Sequence, residues 1–195
     1  MNNFSVRVQQ NTDTDVTGIS VTLYQNETDF LEWKKIINSG IEEYTREKRR
    51  IAQSIIIAIE EYFTEMLQMI GTRVFDILGH IDYPVRVLKE KLNGDPSLKR
   101  WESLITPCLK ALIDNGIALE FSTVLSRCWA ETFGIEPWLL EKYKKLGGEM
   151  VTLGSDGHVP ELTCFGIEKA SRVLKDCGFD KTTVFVDRKP QFILI

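Results

Sequence analysis

VTLGSDGHVP, residues 151–160, joins an apolar strand-like run to a turn that carries reactive side chains. The run ends at a glycine, and Ser155, Asp156 and His158 follow it. In an extended segment Asp156 and His158, at positions i and i+2, project to the same side. Imidazole and carboxylate are ligands of zinc, manganese and iron in proteins. The stretch therefore predicts either a metal-binding pair or a hydrogen-bonded histidine–aspartate pair without a metal.

Strand-like segments alternate with helical ones from residue 73 onward. Apolar strands joined by helices of this length favour parallel pairing, with the helices covering the outside. One of these helices, EPWLLEKYKKLGG, shows Pro137 near its start and Gly147 past its end, which is the usual arrangement. We expect an α/β fold with parallel strands. The predicted strands lie at 73–79, 117–122, 149–154 and 182–186.

The part of the chain before residue 73 is predicted to be mainly helical. From Thr28, a candidate N-cap, to about Met69 the apolar residues recur at helical intervals. We expect this helix to break near NSG, residues 38–40. Two short segments rich in β-branched residues, 4–10 and 19–25, precede it and are predicted to be strands.

Two further helices and one further strand are expected in the carboxyl-terminal part. PSLKRWESLITPCLKALIDNG is predicted to be a helix that Pro107 kinks or divides. ELTCFGIEKASRVLKDCG is predicted to be a helix that stops at Gly178. FILI, residues 192–195, is a further candidate strand.

Reactive side chains follow three of the predicted strands directly. In parallel α/β folds the ligand site lies at the carboxyl ends of the strands. Both histidines of the chain fall at these ends, so we expect a functional site there. The candidate residues are His80 and Asp82 after the first strand, Glu120 on the second, and Ser155, Asp156 and His158 after the third.

Composition limits the partners and the compartment. A length of 195 residues is typical of one domain, and a net charge of −4 gives no reason to expect nucleic acid or an anionic membrane as a partner. The four cysteines are scattered, which is typical of reduced thiols. The amino-terminal residues lack the apolar core of a signal peptide, and the longest apolar run cannot span a bilayer. We expect a cytoplasmic protein.

Two stretches carry a resemblance to a known family. FDILGHIDYPVR (75–86) and GGEMVTLGSDGHVPE (147–161) resemble the third and fourth signature motifs of the polymerase and histidinol phosphatase (PHP) superfamily, most closely its histidinol-phosphatase branch. IALEFSTVLSR (117–127) and the ending LKDCGFDKTTVFVDRKPQFILI (174–195) resemble further segments of that branch. The resemblance is strongest over residues 73–195.

The resemblance implies a fold, a reaction and a set of ligands. His80, Asp156 and His158 would be metal ligands in a cluster of two or three divalent metals, inside a partial or distorted (β/α) barrel. The metal would be zinc, manganese or iron. The implied reaction is metal-assisted hydrolysis of a phosphomonoester, L-histidinol phosphate, in histidine biosynthesis.

Other residues receive supporting roles from the same resemblance. Arg127 is the candidate phosphate-binding residue, because a guanidinium group matches phosphate geometry, and Arg86 is a second candidate of the same kind. The alternative for both is a solvated surface arginine. Asp82, Glu120 and Ser155 would hydrogen-bond to the ligands and orient them.

The chain also departs from the family pattern. It contains no H-x-H motif, which opens the family's sequences, and Thr22 or Arg7 stands where another ligand histidine is expected. We therefore expect residues 1–195 to form a single PHP-like domain that is incomplete at its amino terminus. A truncated or mis-started gene product and a genuine degenerate member both explain the departures. We expect at most one tightly bound metal ion.

Three functions follow as hypotheses. The first is an impaired histidinol-phosphatase-like hydrolase with a small phosphorylated substrate. The second is a catalytically dead PHP remnant that acts as a binding or regulatory module. The third is a PHP-type nuclease, against which the negative net charge argues. We also expect either self-association through exposed barrel edges or the segments 4–10 and 19–25 folded over the gap.

Overall fold

The computed structural model describes residues 27–85, 97–124 and 135–195. The chain divides into two compact units, residues 1–53 and 54–195. The predicted strands 4–10 and 19–25 lie outside the described residues, and so does the arrangement in which they would cover a gap. A single domain over residues 1–195 stays a prediction.

A parallel three-stranded sheet organises the second unit. Its strands are β1 (Ile77–Leu78), β2 (Ala118–Ser122) and β3 (Val151–Gly154), in the order β1-β2-β3. Leu119 of β2 lies opposite Leu78 on one side and opposite Val151 on the other. Three of the four strands expected to pair in parallel therefore do so, although β1 is much shorter than the predicted segment 73–79.

The fourth expected strand pairs differently. Strand β4 (Lys181–Val186) forms an antiparallel hairpin with β5 (Lys189–Leu194), so the prediction of a parallel strand at 182–186 was wrong. The two residues of the turn, Asp187 and Arg188, both have positive φ, of 49° and 60°. Such a two-residue turn reverses the chain within the sheet and suits the twist of an antiparallel pair. The further strand expected at FILI is confirmed within β5.

The long helix α1 (Glu27–Gly71) runs without interruption, so the predicted break at residues 38–40 was wrong. A single glycine inside a helix costs only about 1 kcal/mol relative to alanine, which a long helix can absorb. Helix α2 (Glu102–Asn115) follows a 3₁₀ turn, Lys99–Trp101. It keeps Pro107 inside it and is not divided there.

Two further helices in the described part of the chain flank β3. Helix α3 (Pro137–Lys145) has its proline in the first turn, as predicted. The segment expected to be one helix after β3 instead contains a 3₁₀ turn, Pro160–Leu162, and then helix α4 (Ile167–Asp176). Gly166, with φ of 73°, separates the two.

The core of the second unit forms where one face of α1 packs with the sheet and α2. Ile59, Phe63, Met66 and Ile70 are buried at intervals of three and four residues, which is the spacing of one helix face. The strand β2 is buried along nearly its whole length. The central strand is therefore fixed by packing as well as by its two neighbours.

Within the described ranges, no helix is long and apolar enough to cross a membrane.

Two isoleucines two residues apart on α1 provide a matched test of this packing. Ile59 is 3% exposed and belongs to the core, whereas Ile57 is 45% exposed. Ile59→Ala should lower the free energy of unfolding by about 2–5 kcal/mol, because it removes buried methyl groups and leaves a cavity. Ile57→Ala should lower it by less than about 1 kcal/mol. Urea unfolding of both variants measures the difference, and equal losses would contradict the packing of α1.

Candidate functional site

The parallel register brings the carboxyl ends of three strands to one edge of the sheet. Ser122 at the end of β2 lies opposite Gly154 at the end of β3, and Leu78 at the end of β1 lies opposite Leu119. The residues that directly follow these strands therefore begin at the same edge. This is the edge at which the sequence places the candidate functional residues.

The carboxylate of Glu120 occupies space between the two neighbouring strands. A Cβ atom added at Gly79 would lie 3.0 Å from Glu120 Oε2, and one added at Gly154 would overlap Oε1. Neither glycine has a positive φ, so a side chain at either position would meet the Glu120 carboxylate and would not strain the backbone. Glu120 is half-buried, and its carboxylate lies in the middle of the edge.

His80 follows β1 in a conformation that is uncommon for a side-chain-bearing residue. Its φ is 60°, in the left-handed region. The hydroxyl of Tyr62 donates a hydrogen bond of 2.5 Å to the carbonyl oxygen of His80, and the backbone N–H of Tyr83 donates one of 3.0 Å. Burial, followed by the charge of Asp82, raises the pKa of Tyr62, so the hydroxyl keeps the proton that it donates.

Asp156 and His158 form a pair after β3. His158 Nε2 lies 3.2 Å from Asp156 Oδ1, which agrees with the i, i+2 spacing. The side chain of His158 is 81% exposed and that of Asp156 is 32% exposed. Asp156 also has a positive φ, of 47°. Among the described residues, six that carry a side chain have positive φ, and two of these are candidate metal ligands. Such outliers are typical of functional sites.

Asp82 is the most buried charged residue of this edge. It is 2% exposed, and its Oδ2 atom has no hydrogen-bond partner among the described residues. The pKa of Asp82 is raised to about 6. Burial is the main cause and the charge of Glu120 adds to the rise, while a backbone hydrogen bond and the charge of His80 oppose it. Asp82 therefore interacts electrostatically with both His80 and Glu120. Its role in orienting a histidine stays a prediction.

The loop after β3 is tied to the ends of β2 and β3. The backbone N–H of Cys164 donates to Ser155 Oγ at 3.2 Å, and Thr123 Oγ1 donates to the carbonyl of Phe165 at 2.5 Å. The N–H of Thr123 also donates to the carbonyl of Gly154 at 2.8 Å. Ser155 therefore accepts a hydrogen bond from within the loop that it begins.

The donor types at this edge suit a divalent metal, but their placement does not complete a site. Imidazole and carboxylate groups are standard ligands, and the unpartnered Asp82 oxygen is a buried acceptor. Within the residues described, no group of three or more His, Cys, Asp or Glu side chains could hold a metal ion. The joint assignment of His80, Asp156 and His158 as ligands stays a prediction.

Two predicted residues lie outside the described part, and two contacts were not foreseen. Arg86 and Arg127, the candidate phosphate-binding arginines, fall in the ranges that the structure does not describe. The unforeseen contacts are the Tyr62 hydrogen bond to His80 and an ion pair in which Arg188 Nη2 lies 3.0 Å from Asp76 Oδ1. No sequence signal linked Tyr62 to a residue 18 positions away.

The described fold and edge define an α/β protein whose parallel strands end in imidazole and carboxylate side chains. No family model matches the chain. It is 30% identical over 157 residues to the histidinol-phosphatase of Lactococcus lactis subsp. lactis, which is 78% of this chain and 54% of that protein. It is 32% identical over 124 residues to the "Probable histidinol-phosphatase" of Thermotoga maritima, which is 64% of this chain and 50% of that protein.

A solved structure shows the same likeness. The crystal structure of histidinol phosphate phosphatase from Lactococcus lactis subsp. lactis, in complex with zinc, L-histidinol and phosphate, matches with a TM-score of 0.56 and 30% identity. The match covers 69% of this chain and 51% of that one. The chain spans about half the length of the curated relatives it matches. It is related to histidinol-phosphatases over the matched part.

The buried carboxyl of Asp82 makes stability depend on pH. Because its folded-state pKa of about 6 exceeds the ordinary value of 3.8, the folded protein binds more protons there than the unfolded chain between these values. The contribution of this group to stability is greatest below the unfolded pKa and is lost as the pH rises through about 6. The gain in unfolding free energy from Asp82→Asn should therefore grow by about 1–2 kcal/mol from about pH 4.5 to about pH 7.5.

Urea unfolding in the presence of a chelator at both pH values measures this change. Asp114→Asn on the exposed surface of α2 is the matched control and should show no such growth. A gain for Asp82→Asn that is the same at both pH values would contradict a buried, titrating Asp82.

Proposed function

We propose that this chain is a histidinol-phosphatase-like hydrolase of the PHP type, acting on L-histidinol phosphate in cytoplasmic histidine biosynthesis, with an impaired site. The observation that carries the proposal is the edge at which His80 and Asp156 follow parallel strands, beside Glu120 of the central strand β2. Relatedness to histidinol-phosphatases, one of them complexed with zinc, L-histidinol and phosphate, supports it. The PHP-type barrel and the single domain over residues 1–195 are part of the proposal.

The proposal assigns roles to the chain's own residues. His80, Asp156 and His158 would hold a divalent metal, which when bound would activate water and neutralise charge on the phosphate. Asp156 would also orient the imidazole of His158, to which it is already paired at 3.2 Å. Arg127 and Arg86 would bind the phosphate, since a guanidinium group matches its geometry.

The small number of histidines is the reason to propose an impaired site. The chain has two histidines and no H-x-H motif. Three protein ligands and a water can hold one zinc ion, as in catalytic zinc sites, but not a cluster. A missing companion ion removes several kcal/mol of charge stabilisation, which corresponds to orders of magnitude in rate.

The same observation favours a second candidate, a binding or regulatory module without catalysis. Such a module would keep the edge of polar side chains and the affinity for a small phosphorylated ligand. It would need no complete ligand set. The two candidates differ in turnover and agree in ligand binding.

Metal content and phosphate release, measured on the purified chain, separate these candidates. We expect at most one tightly bound divalent ion and slow release of phosphate from L-histidinol phosphate with manganese or zinc supplied. His158→Ala and Asp156→Ala should abolish both the metal binding and the residual turnover, because each removes a proposed ligand. Glu161→Ala is the matched control, because it removes an exposed carboxylate from the same loop and should change neither.

The outcomes decide between the alternatives. Binding of L-histidinol phosphate without any turnover would favour the module. Rapid turnover that His158→Ala abolishes would overturn the impaired site and would mean that unrecognised ligands complete it. Turnover that survives both ligand variants would contradict the site itself.

A further inference from the structure

The middle of α1 is a helical segment with almost no burial. Every described side chain from residue 38 to residue 51 is exposed, apart from the half-buried Thr45. A solvated helix of this length is marginally stable in water, and helices in proteins are stabilised mainly by packing of an apolar face. This segment belongs to the first unit of the chain, away from the residues of the proposed hydrolase site in sequence. Among the described residues, this segment therefore has little of the packing that normally supports a helix.

Apolar residues on this segment follow the spacing of a coiled-coil seam. Ile41, Tyr44, Lys48 and Ile51 are separated by three, four and three residues, which is the a/d pattern of a heptad, and we call them the exposed seam. Ile41, Tyr44 and Ile51 are 55%, 54% and 42% exposed. Lys48 Nζ lies 5.4 Å from the centre of the Tyr44 ring. The seam thus presents two aliphatic ends and a tyrosine–lysine middle.

The positions of the exposed seam are spaced symmetrically about Arg46. Ile41 and Ile51 lie at equal distances on either side of Arg46, and so do Tyr44 and Lys48. In an antiparallel pair of helices, each a position packs against a d position of the other helix. The two isoleucines would then meet each other, and each lysine would meet a tyrosine ring, to which a cation is attracted.

Acidic and basic side chains of this segment also lie mainly on opposite sides of Arg46. Glu42 and Glu43 lie before Arg46, whereas the basic residues Lys48, Arg49 and Arg50 lie after it. A parallel pair would place the basic ends side by side, which is repulsive. An antiparallel pair places the acidic end of one helix beside the basic end of the other, which is attractive. Arg50 also pairs with Glu47 of its own helix, at 3.0 Å.

We propose that a second copy of this chain packs antiparallel along the exposed seam, with the two-fold axis level with Arg46. Ile41 then contacts Ile51 of the second copy, and Tyr44 contacts Lys48 of the second copy. The seam from residue 41 to residue 51 is about 15 Å long at 1.5 Å per residue. An interface of this size gives a weak dimer whose formation depends on concentration and on salt.

Sedimentation equilibrium of the full chain over a range of concentrations tests the proposal. Ile41→Asp and Ile51→Arg should each raise the dimer Kd by more than about tenfold, because each buries a charge at the seam. The double variant should recover much of the loss, because the new aspartate meets the new arginine only in an antiparallel pair. Gln53→Asp, on the exposed surface of the same helix, is the matched control and should leave the Kd unchanged.

Cross-linking tests whether the two helices of the dimer are antiparallel, with only one seam residue changed in each chain. In a background with Cys128→Ser and Cys164→Ser, a short thiol cross-linker should join an Ile41→Cys chain to an Ile51→Cys chain. It should not join either variant to itself, because equal positions lie about 15 Å apart along the axis. The background without added cysteines is the control for the remaining thiols, Cys108 and Cys177, which are buried.

Three results would overturn the proposal. Self-cross-linking of the Ile41→Cys chain would indicate a parallel pair. A dimer insensitive to both isoleucine variants would use another surface. A monomer at every concentration would exclude packing against a second copy. If Ile41→Asp then also lost helical circular dichroism, the exposed seam would pack against a segment of the same chain.

Discussion

Parallel pairing of the central strand β2 with both neighbours is the constraint on which the candidate site depends. Leu119 is held between Leu78 and Val151, and the strand is buried along nearly its whole length. A shift of one residue would turn every buried side chain of β2 to the other face. The register is therefore fixed by packing. Since parallel strands end at one edge, the same register brings together residues that lie far apart in sequence.

The space at that edge is shaped for a carboxylate. Glu120 extends between β1 and β3 because Gly79 and Gly154 lack side chains there. A larger residue at either position would displace the Glu120 carboxylate. Asp82, buried nearby, adds a second acidic group whose oxygen has no hydrogen-bond partner among the described residues. Two acidic groups that influence each other in partly buried positions favour a cation between or beside them.

The sequence predicted the order of elements better than their pairing. Helix α3 was predictable because proline and glycine mark its ends. The i, i+2 spacing indicated the contact of Asp156 with His158, but the expected extended backbone was wrong, since Asp156 is left-handed. The hairpin of β4 and β5 was missed because its turn uses Asp187 and Arg188 at positive φ, where asparagine and glycine are the usual signals. The break expected at residues 38–40 failed because a single glycine is a weak helix breaker.

The site was predictable only in part, for a related reason. Spacing along the chain shows which side chains leave the same strand, and it located both histidines at strand ends. Contacts between distant segments, such as the Tyr62 hydroxyl against the His80 carbonyl, depend on how a helix packs across the sheet. No local sequence pattern predicts the distance between Tyr62 and His80. The distance between His80 and Asp156 is not predictable from the sequence for the same reason.

The energetic costs at this edge favour a ligand-binding role for it over a purely structural one. His80 and Asp156 adopt left-handed conformations that cost of order 1–2 kcal/mol each for residues with a side chain. Asp82 adds a cost of about 3 kcal/mol at neutral pH through its pKa of about 6. A domain is stable by only about 5–15 kcal/mol in total, so these costs are a large fraction of it. A purely structural edge would gain stability from apolar residues at these positions, whereas strained and polar residues are typical of sites that bind a ligand.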